Sequence, residues 1–220
     1  MALGDVRPVV TLAALYGAGG SVVGAGVAER LGVPFIDRQL LNAAADRTGV
    51  PVDAVAEADD GPRSRTTRVL STLGRASTIS GAAAAPRDDL DLQEQRLRSS
   101  IEETMAEAGA SGAVILGRGG MIVLREVPAA LHVYLRGSAE ARLEQAMSLE
   151  GADREAVRRR QEVEDRGRMD YVRRAYGVDG DDPALYHLIL DSTALDHDVC
   201  VELIVAAARA RIHALRPAEE

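Results

Sequence analysis

Lysine and tryptophan are both missing from this chain of 220 residues: the 26 residues pooled as Lys+Arg are all arginine. A Schiff-base lysine, a lysine general base and the lysine of an ordinary phosphate-binding loop are therefore excluded. Cys200 is the only cysteine, which rules out an intramolecular disulfide and a multi-thiolate zinc site and makes the cytoplasm the expected compartment. Phe35 and five tyrosines are the whole aromatic stock, too few for the stacking platforms that grip single-stranded nucleic acid. No apolar run approaches the ~18–20 residues that would cross a bilayer, and Met1–Val10 lacks the pattern of a signal peptide. The formal net charge of −8 argues against general nucleic-acid binding but leaves room for local basic patches that hold phosphate. Abundant Ala and Gly, with Arg in place of Lys throughout, read as coding bias rather than function.

What is present suits one compact domain over residues 1–220. Val9–Leu15 is a short apolar run that reads as a buried strand and ends in the cluster Gly17-Ala18-Gly19-Gly20. A helix is expected from Ser21 to Leu31, stopped by Gly32 and Pro34, followed by a second strand over Val33–Asp37. Strand, glycine turn, helix and strand make a βαβ unit. Arg38–Thr48 has the pattern of a helix. Residues 60–90 carry five arginines amid Gly, Ser, Thr and Ala, and are expected to be a flexible basic, Ala-rich loop or a basic flap over an anionic ligand.

Leu97, Ile101, Met105 and Ala108 mark an amphipathic helix over Asp91–Gly109. Strands are expected at Ala113–Leu116, Ala130–Leu135 and Leu188–Leu190. Ser138 caps a helix after the second of these, and Asp153–Tyr176 is a long charged helix. A last helix opens at Asp198, with Val199, Leu203, Ala207 and Ala210 facing inward. The pattern predicts an α/β fold, a doubly wound five-stranded parallel sheet with ligands at the carboxyl ends of its strands.

The glycine turn carries the chemistry. Glycines admit left-handed backbone angles and let successive N–H groups approach a ligand, and the following helix adds its unpaired amides and positive dipole end. Such a nest suits phosphate. A dinucleotide fingerprint matches Gly17, Gly19 and Asp37 but meets Val22 at its third glycine. A Walker-type loop aligned on Ser21 meets Gly20 at its lysine and Ala14 at its first glycine. Local sequence leaves both open.

The longer pattern resembles the nucleoside monophosphate kinases, specifically the cytidylate-kinase-like family of P-loop proteins. That family's run of strand, Tyr-Gly-Ser-Gly-Gly, helix and Pro-Phe-Tyr-Asp has its counterpart in Tyr16–Gly20 and Pro34–Leu40. Val114–Gly119 matches its Val-Ile-Val-Gly-Arg-Gly segment. Asp165, Arg168, Tyr171 and Tyr176 match its Asp-x-x-Arg helix, and Leu188–Thr193 resembles its last strand. The similarity runs in order along nearly the whole chain, with residues 60–90 outside it.

The resemblance implies a P-loop fold that passes a phosphoryl group from ATP–Mg²⁺ to CMP or a related pyrimidine monophosphate, with no nucleic-acid or membrane partner. It implies that Gly17, Ala18, Gly19, Gly20 and Ser21 hold the ATP phosphates and that the Ser21 hydroxyl reaches Mg²⁺. Asp37, Arg38, Arg118 and Asp165 become the expected acceptor-binding set. A helical lid over residues 153–180 would close on the phosphates, so Ser21, Arg118, Arg166 and Arg168 are the expected catalytic groups. True cytidylate kinases carry lysine at the position of Gly20, Asp at that of Leu116, and arginines near Leu41 and Gln161; this chain lacks all four, and it shares the missing lysine with much of the cytidylate-kinase-like group. Arg38, Arg118, Arg166 and Arg168 are the candidates to replace the missing cation. A catalytically weak or inactive nucleotide-binding regulatory protein is the alternative. The four histidines have no metal-ligand spacing, and Cys200 reads as a buried small hydrophobe.

Overall fold

The structure, a computed structural model, describes residues 7–37 and 87–215. The expected helix at 38–48, Arg38 itself and residues 60–86 lie outside the described residues. Five strands form one parallel sheet: β1 (Val9–Ala14), β2 (Phe35–Ile36), β3 (Ala113–Leu116), β4 (Ala130–Arg136) and β5 (Leu188–Asp191). Their order across the sheet is β2-β3-β1-β4-β5. β1 therefore lies at the centre, with Val9 opposite Ala113 on one side and Ala130 on the other.

A central strand covered on both faces must be apolar throughout, and this explains the run Val9-Val10-Thr11-Leu12. Val10, Leu12 and Ala14 point to one face, where they join Leu116, Val133, Leu135 and Ile204 in the larger core. Val9 points to the other and packs with Ile101, Met105, Ile115 and Leu124. Thr11 shares that second face, and its buried hydroxyl is satisfied by His132 Nδ1 at 2.8 Å.

The first core is covered by α1 (Gly20–Leu31) and α6 (His197–Ala214); the second by α2 (Arg87–Ser111) and the short α3 (Gly120–Val123). Between β4 and β5 the chain makes α4 (Ala139–Glu150) and α5 (Arg154–Tyr176), two packed helices that overhang the carboxyl ends of β1 and β4. Ser138 caps α4 by accepting from the Ala141 amide, and Asp153 caps α5 by accepting from the Glu155 and Ala156 amides. Among the described residues no helix is long and apolar enough to cross a membrane.

Several sequence expectations need correction. β2 is only two residues long. α2 begins at Arg87, so the end of the expected 60–90 loop is helical. α6 begins at His197 and buries Cys200, Val201, Ile204, Val205 and Ala208, whereas Val199, Leu203 and Ala210 are exposed and Ala207 is half-buried. The cause is a helix apolar on nearly every side, whose rotation is set by a neighbour: a Cβ at Gly26 of α1 would lie 2.9 Å from Val201 Cγ2. Close approach to a glycine, not periodicity, decides which stripe faces in.

Candidate functional site

At the end of β1 the chain turns through Gly17 (φ 78°) and Gly19 (φ 71°) into α1, which has Gly19 at its N-cap position and no side-chain cap. Gly17 is required on two counts, and Gly19 chiefly by its backbone angles. Each takes left-handed angles, and a Cβ would meet the Arg142 carbonyl oxygen at 2.3 Å from position 17 and His197 Nε2 at 2.3 Å from position 19. The first turn of α1 leaves the amides of Gly20, Ser21 and Val22 without carbonyl partners inside the helix, next to its positive dipole end.

Ala18 is the inward-facing member of the turn. It is fully buried, its amide donates to Leu15 O at 3.0 Å, and its carbonyl accepts from Ser192 Oγ at 2.7 Å. Gly17, Gly19, Gly20 and Ser21 line a cavity of about 680 Å³ at the carboxyl ends of β1 and β3; Ala18 does not. That size is within the range of small-molecule sites.

The turn is held from outside by α4 and α5. Asp165 accepts from the Tyr16 amide at 2.8 Å and pairs with Arg142 Nη1 at 2.8 Å. The buried Arg142 also donates to the Tyr16 carbonyl at 2.5 Å and, through Nε, to Gly137 O at 3.1 Å, while Gln145 donates to Gly17 O at 2.8 Å. Removing either member of the Arg142–Asp165 pair would strand a charge in a largely dry place. The Tyr16 hydroxyl donates to Glu150 Oε1 at 2.5 Å, and Arg160 Nη1 donates to Oε2 of the same carboxylate at 2.6 Å. Burial, reinforced by the Glu150 hydrogen bond, pushes the Tyr16 phenol up to about 12.

A second glycine turn faces the first. β3 ends in Gly117 (φ 84°), Arg118 (φ 59°) and Gly119 (φ 71°), and Arg118 is the one non-glycine residue with left-handed angles among the described residues. Such a conformation costs on the order of 1–3 kcal/mol and persists where surrounding structure enforces it. Here α5 enforces it: the Tyr176 hydroxyl donates to Arg118 O at 3.3 Å, its ring fills the space a Cβ on Gly119 would need, and the Arg118 guanidinium lies 5.8 Å from the Tyr171 ring centroid.

Arg118, Arg160 and Arg168 line the cavity together with Asp37, Glu150 and Glu164. Arg168 donates through Nη1 to the Ala14 carbonyl, and its Nη2 lies 3.7 Å from Glu164. The Ser21 hydroxyl donates to Asp37 Oδ2 at 3.3 Å, uniting an alcohol and a carboxylate at the start of α1. Of the residues singled out in the sequence, Gly17, Gly19, Gly20, Ser21, Asp37, Arg118 and Arg168 are thus brought together. Asp165 is directed to the backbone of Tyr16 instead of the cavity, and Arg166 is exposed on another face of α5. Residues two apart on a helix point about 200° apart, so Arg166 and Arg168 could not share a face. Arg160, Glu164 and Arg168, spaced by four, do share one, and that spacing was the available signal for Arg160. Nothing in the sequence distinguishes the buried Arg142 from its exposed neighbours.

A glycine turn that feeds a helix from the central strand of a parallel sheet, ringed by arginines, defines the P-loop class of phosphate-binding proteins. Within that class, the model described as the cytidylate kinase-like family matches residues 9–194, and the chain belongs to that family, a kinase-like group of nucleotide-binding proteins. A cytidylate kinase of Methanopyrus kandleri is 29% identical over 127 residues, covering 56% of this chain and 65% of that relative's length. Among solved structures, an uncharacterized protein from Eubacterium ventriosum superposes with a TM-score of 0.64 at 14% identity, over 93% of this chain and 99% of the other. The protein TT1252 from Thermus thermophilus gives 0.50 at 17% identity, over 93% and 98%. Both structural matches support the fold alone.

Proposed function

We propose that this chain transfers the terminal phosphoryl group of ATP to CMP or a related pyrimidine nucleoside monophosphate. The carrying observation is the pair of facing glycine turns that open, with the N-terminus of α1, into one arginine-lined cavity of about 680 Å³. An acceptor phosphate oxygen attacks the γ-phosphorus, the bond from that phosphorus to the β,γ-bridging oxygen breaks, and ADP leaves. Such a reaction needs alignment and charge neutralisation more than covalent help, and amides, a helix dipole and guanidinium groups supply both.

The amides of Gly19, Gly20 and Ser21 hold the donor phosphates, while Arg118, on the β3 side, grips the acceptor. Asp165 works by fixing the Tyr16 peptide rather than by touching substrate. The helices α4 and α5 act as the lid. Ser21 and Asp37 offer a hydroxyl and a carboxylate oxygen 3.3 Å apart, a donor set suited to a hard cation that keeps several waters. Magnesium bound there supplies charge neutralisation to the phosphates.

The test is a coupled assay for ADP release from ATP–Mg²⁺ against a panel of nucleoside monophosphates. Turnover with a pyrimidine monophosphate supports the proposal. Saturable ATP binding without turnover on any acceptor supports the second reading, a nucleotide-binding regulatory protein, which the absence of lysine from the loop favours.

A further inference from the structure

We infer that the outer face of α6 binds a second copy of this chain, with the two α6 helices lying antiparallel across a two-fold axis. The inference goes beyond the phosphotransfer reading and stands or falls without it.

The first observation is a surplus apolar face. Cys200, Val201, Ile204, Val205 and Ala208 already fill the core side of α6, yet Val199 and Leu203 remain 40% and 43% exposed. Exposed Ala206 and Ala210 continue their row toward the end of the helix. Spacings of four, three and four are those of the seam along which two helices pack side by side. The solvent face of a monomer's surface helix is ordinarily polar, and a contiguous apolar row there marks an interface.

The second observation says what covers that row. Its side chains are large in the first half, Val199 and Leu203, and small in the second, Ala206 and Ala210. Two copies laid parallel would set leucine on leucine and leave alanine facing alanine across a gap. Laid antiparallel, Leu203 meets Ala206 of the other copy and Val199 meets Ala210, so large meets small along the whole seam.

Charge selects the same arrangement. Glu202 and Arg209, seven residues apart, flank the row on one side, since both reach Arg30 of α1. Arg30 Nη1 donates to Glu202 Oε1 at 3.4 Å, and Arg209 Nη2 donates to Arg30 O at 3.1 Å. Both flanking residues are exposed. Antiparallel pairing sets Glu202 of each copy opposite Arg209 of the other, twice by symmetry, and also opposes the two helix dipoles favourably; parallel pairing does neither. Such a contact is self-complementary and closes as a dimer. From Val199 to Ala210 the seam is about 17 Å long, which places it among small, reversible interfaces. None of its residues lines the cavity.

The experiment is sedimentation velocity of the full chain from about 1 to about 200 μM, at low salt, with thermal melts of each variant. Wild type should pass from monomer to dimer within that range. Leu203→Glu changes a solvent-facing residue, so it should melt close to wild type and stay monomeric. Glu202→Arg and Arg209→Glu should each weaken association about 3- to 10-fold. Mixing these two variants should restore it, because each copy then meets opposite charge at both flanking positions. This mixture decides the matter even if Leu203→Glu fails to fold. A wild-type chain that stays monomeric throughout, its row open or covered by another part of the chain, overturns the inference. So does a dimer that persists in folded Leu203→Glu, or a mixture that associates no more tightly than the single variants. Phosphotransfer activity bears on none of these outcomes.

Discussion

Arg118 illustrates how a single side chain is aimed. A flexible arginine after a strand would ordinarily wave in solvent. Here the backbone is held at φ 59° between two glycines, the carbonyl is engaged by Tyr176, and the guanidinium lies over Tyr171. This arrangement spends conformational energy to fix one cation on the β3 side of the cavity, opposite the first glycine turn. Arg118→Ala should therefore raise KM for the acceptor monophosphate by about 10-fold or more, with a smaller effect on KM for ATP. Steady-state kinetics with each substrate varied separately is the check, and equal losses for both would mean that Arg118 serves the donor as well. The place of Arg118 at the cavity was legible because glycines flank it in the sequence at the end of a strand. Arg142 was not legible: its burial depends on Gly137, Tyr16 and Asp165 converging from distant parts of the chain, and one helical arginine looks like another until they do.

Among the elements, the junction of β4 and β5 carries a pH dependence. His132 on β4 stacks on His187, just before β5, with ring centroids 4.8 Å apart, and the His132 amide donates to His187 Nδ1 at 2.9 Å. Burial, followed by the nearby His187 and Arg211, lowers His132 from 6.5 to about 4. His187 is shifted the same way by burial and Arg211. A histidine held neutral stabilises the fold in full above its unfolded value of 6.5. Below that the unfolded chain takes up a proton the native state resists, and the advantage is lost as pH falls toward about 4, up to about 3 kcal/mol for His132. Urea unfolding between about pH 7 and pH 4.5 should show a steeper loss of stability in wild type than in His132→Gln. Parallel curves would contradict the assignment.

The elements also divide by how they could be read. β1, β3 and β4 were evident because strands buried on both faces are apolar runs, α4 because Ser138 caps it, and α5 because Asp153–Tyr176 is a long charged run. The inward face of α6 was misread because Val199–Ala208 is apolar almost all round, so its orientation depends on Gly26 of a helix far away in sequence. A phosphate-binding turn could be anticipated from Tyr16–Ser21, but its P-loop class only from the longer pattern; Arg118 and Arg168 were among the expected cations, whereas Arg160 reaches the cavity through the rotation of α5 and was missed.

For the molecule as a whole, alternation of strands and helices foretold a parallel sheet but not the order β2-β3-β1-β4-β5, which depends on which strands choose to pair over long range. That order matters functionally. It sets β1 and β3 side by side, so two glycine turns far apart in the chain face each other across one cavity, and it leaves α4 and α5 to reach over β1 and brace its end. Each part of the site thus comes from a different stretch of sequence.

The central claim is that the backbone from Gly17 to Ser21 cradles phosphate, with arginine in place of the absent lysine. Titration of the ¹⁵N-labelled chain with ATP and magnesium, followed through backbone amide shifts, tests it most directly. The account expects the Gly17, Gly19, Gly20 and Ser21 amides to move together and saturably, Ala18 to respond less because its amide is already bonded to Leu15 O, and inorganic tripolyphosphate to reproduce the pattern. Shifts confined to other parts of the chain, with those four amides unmoved at saturation, would contradict it.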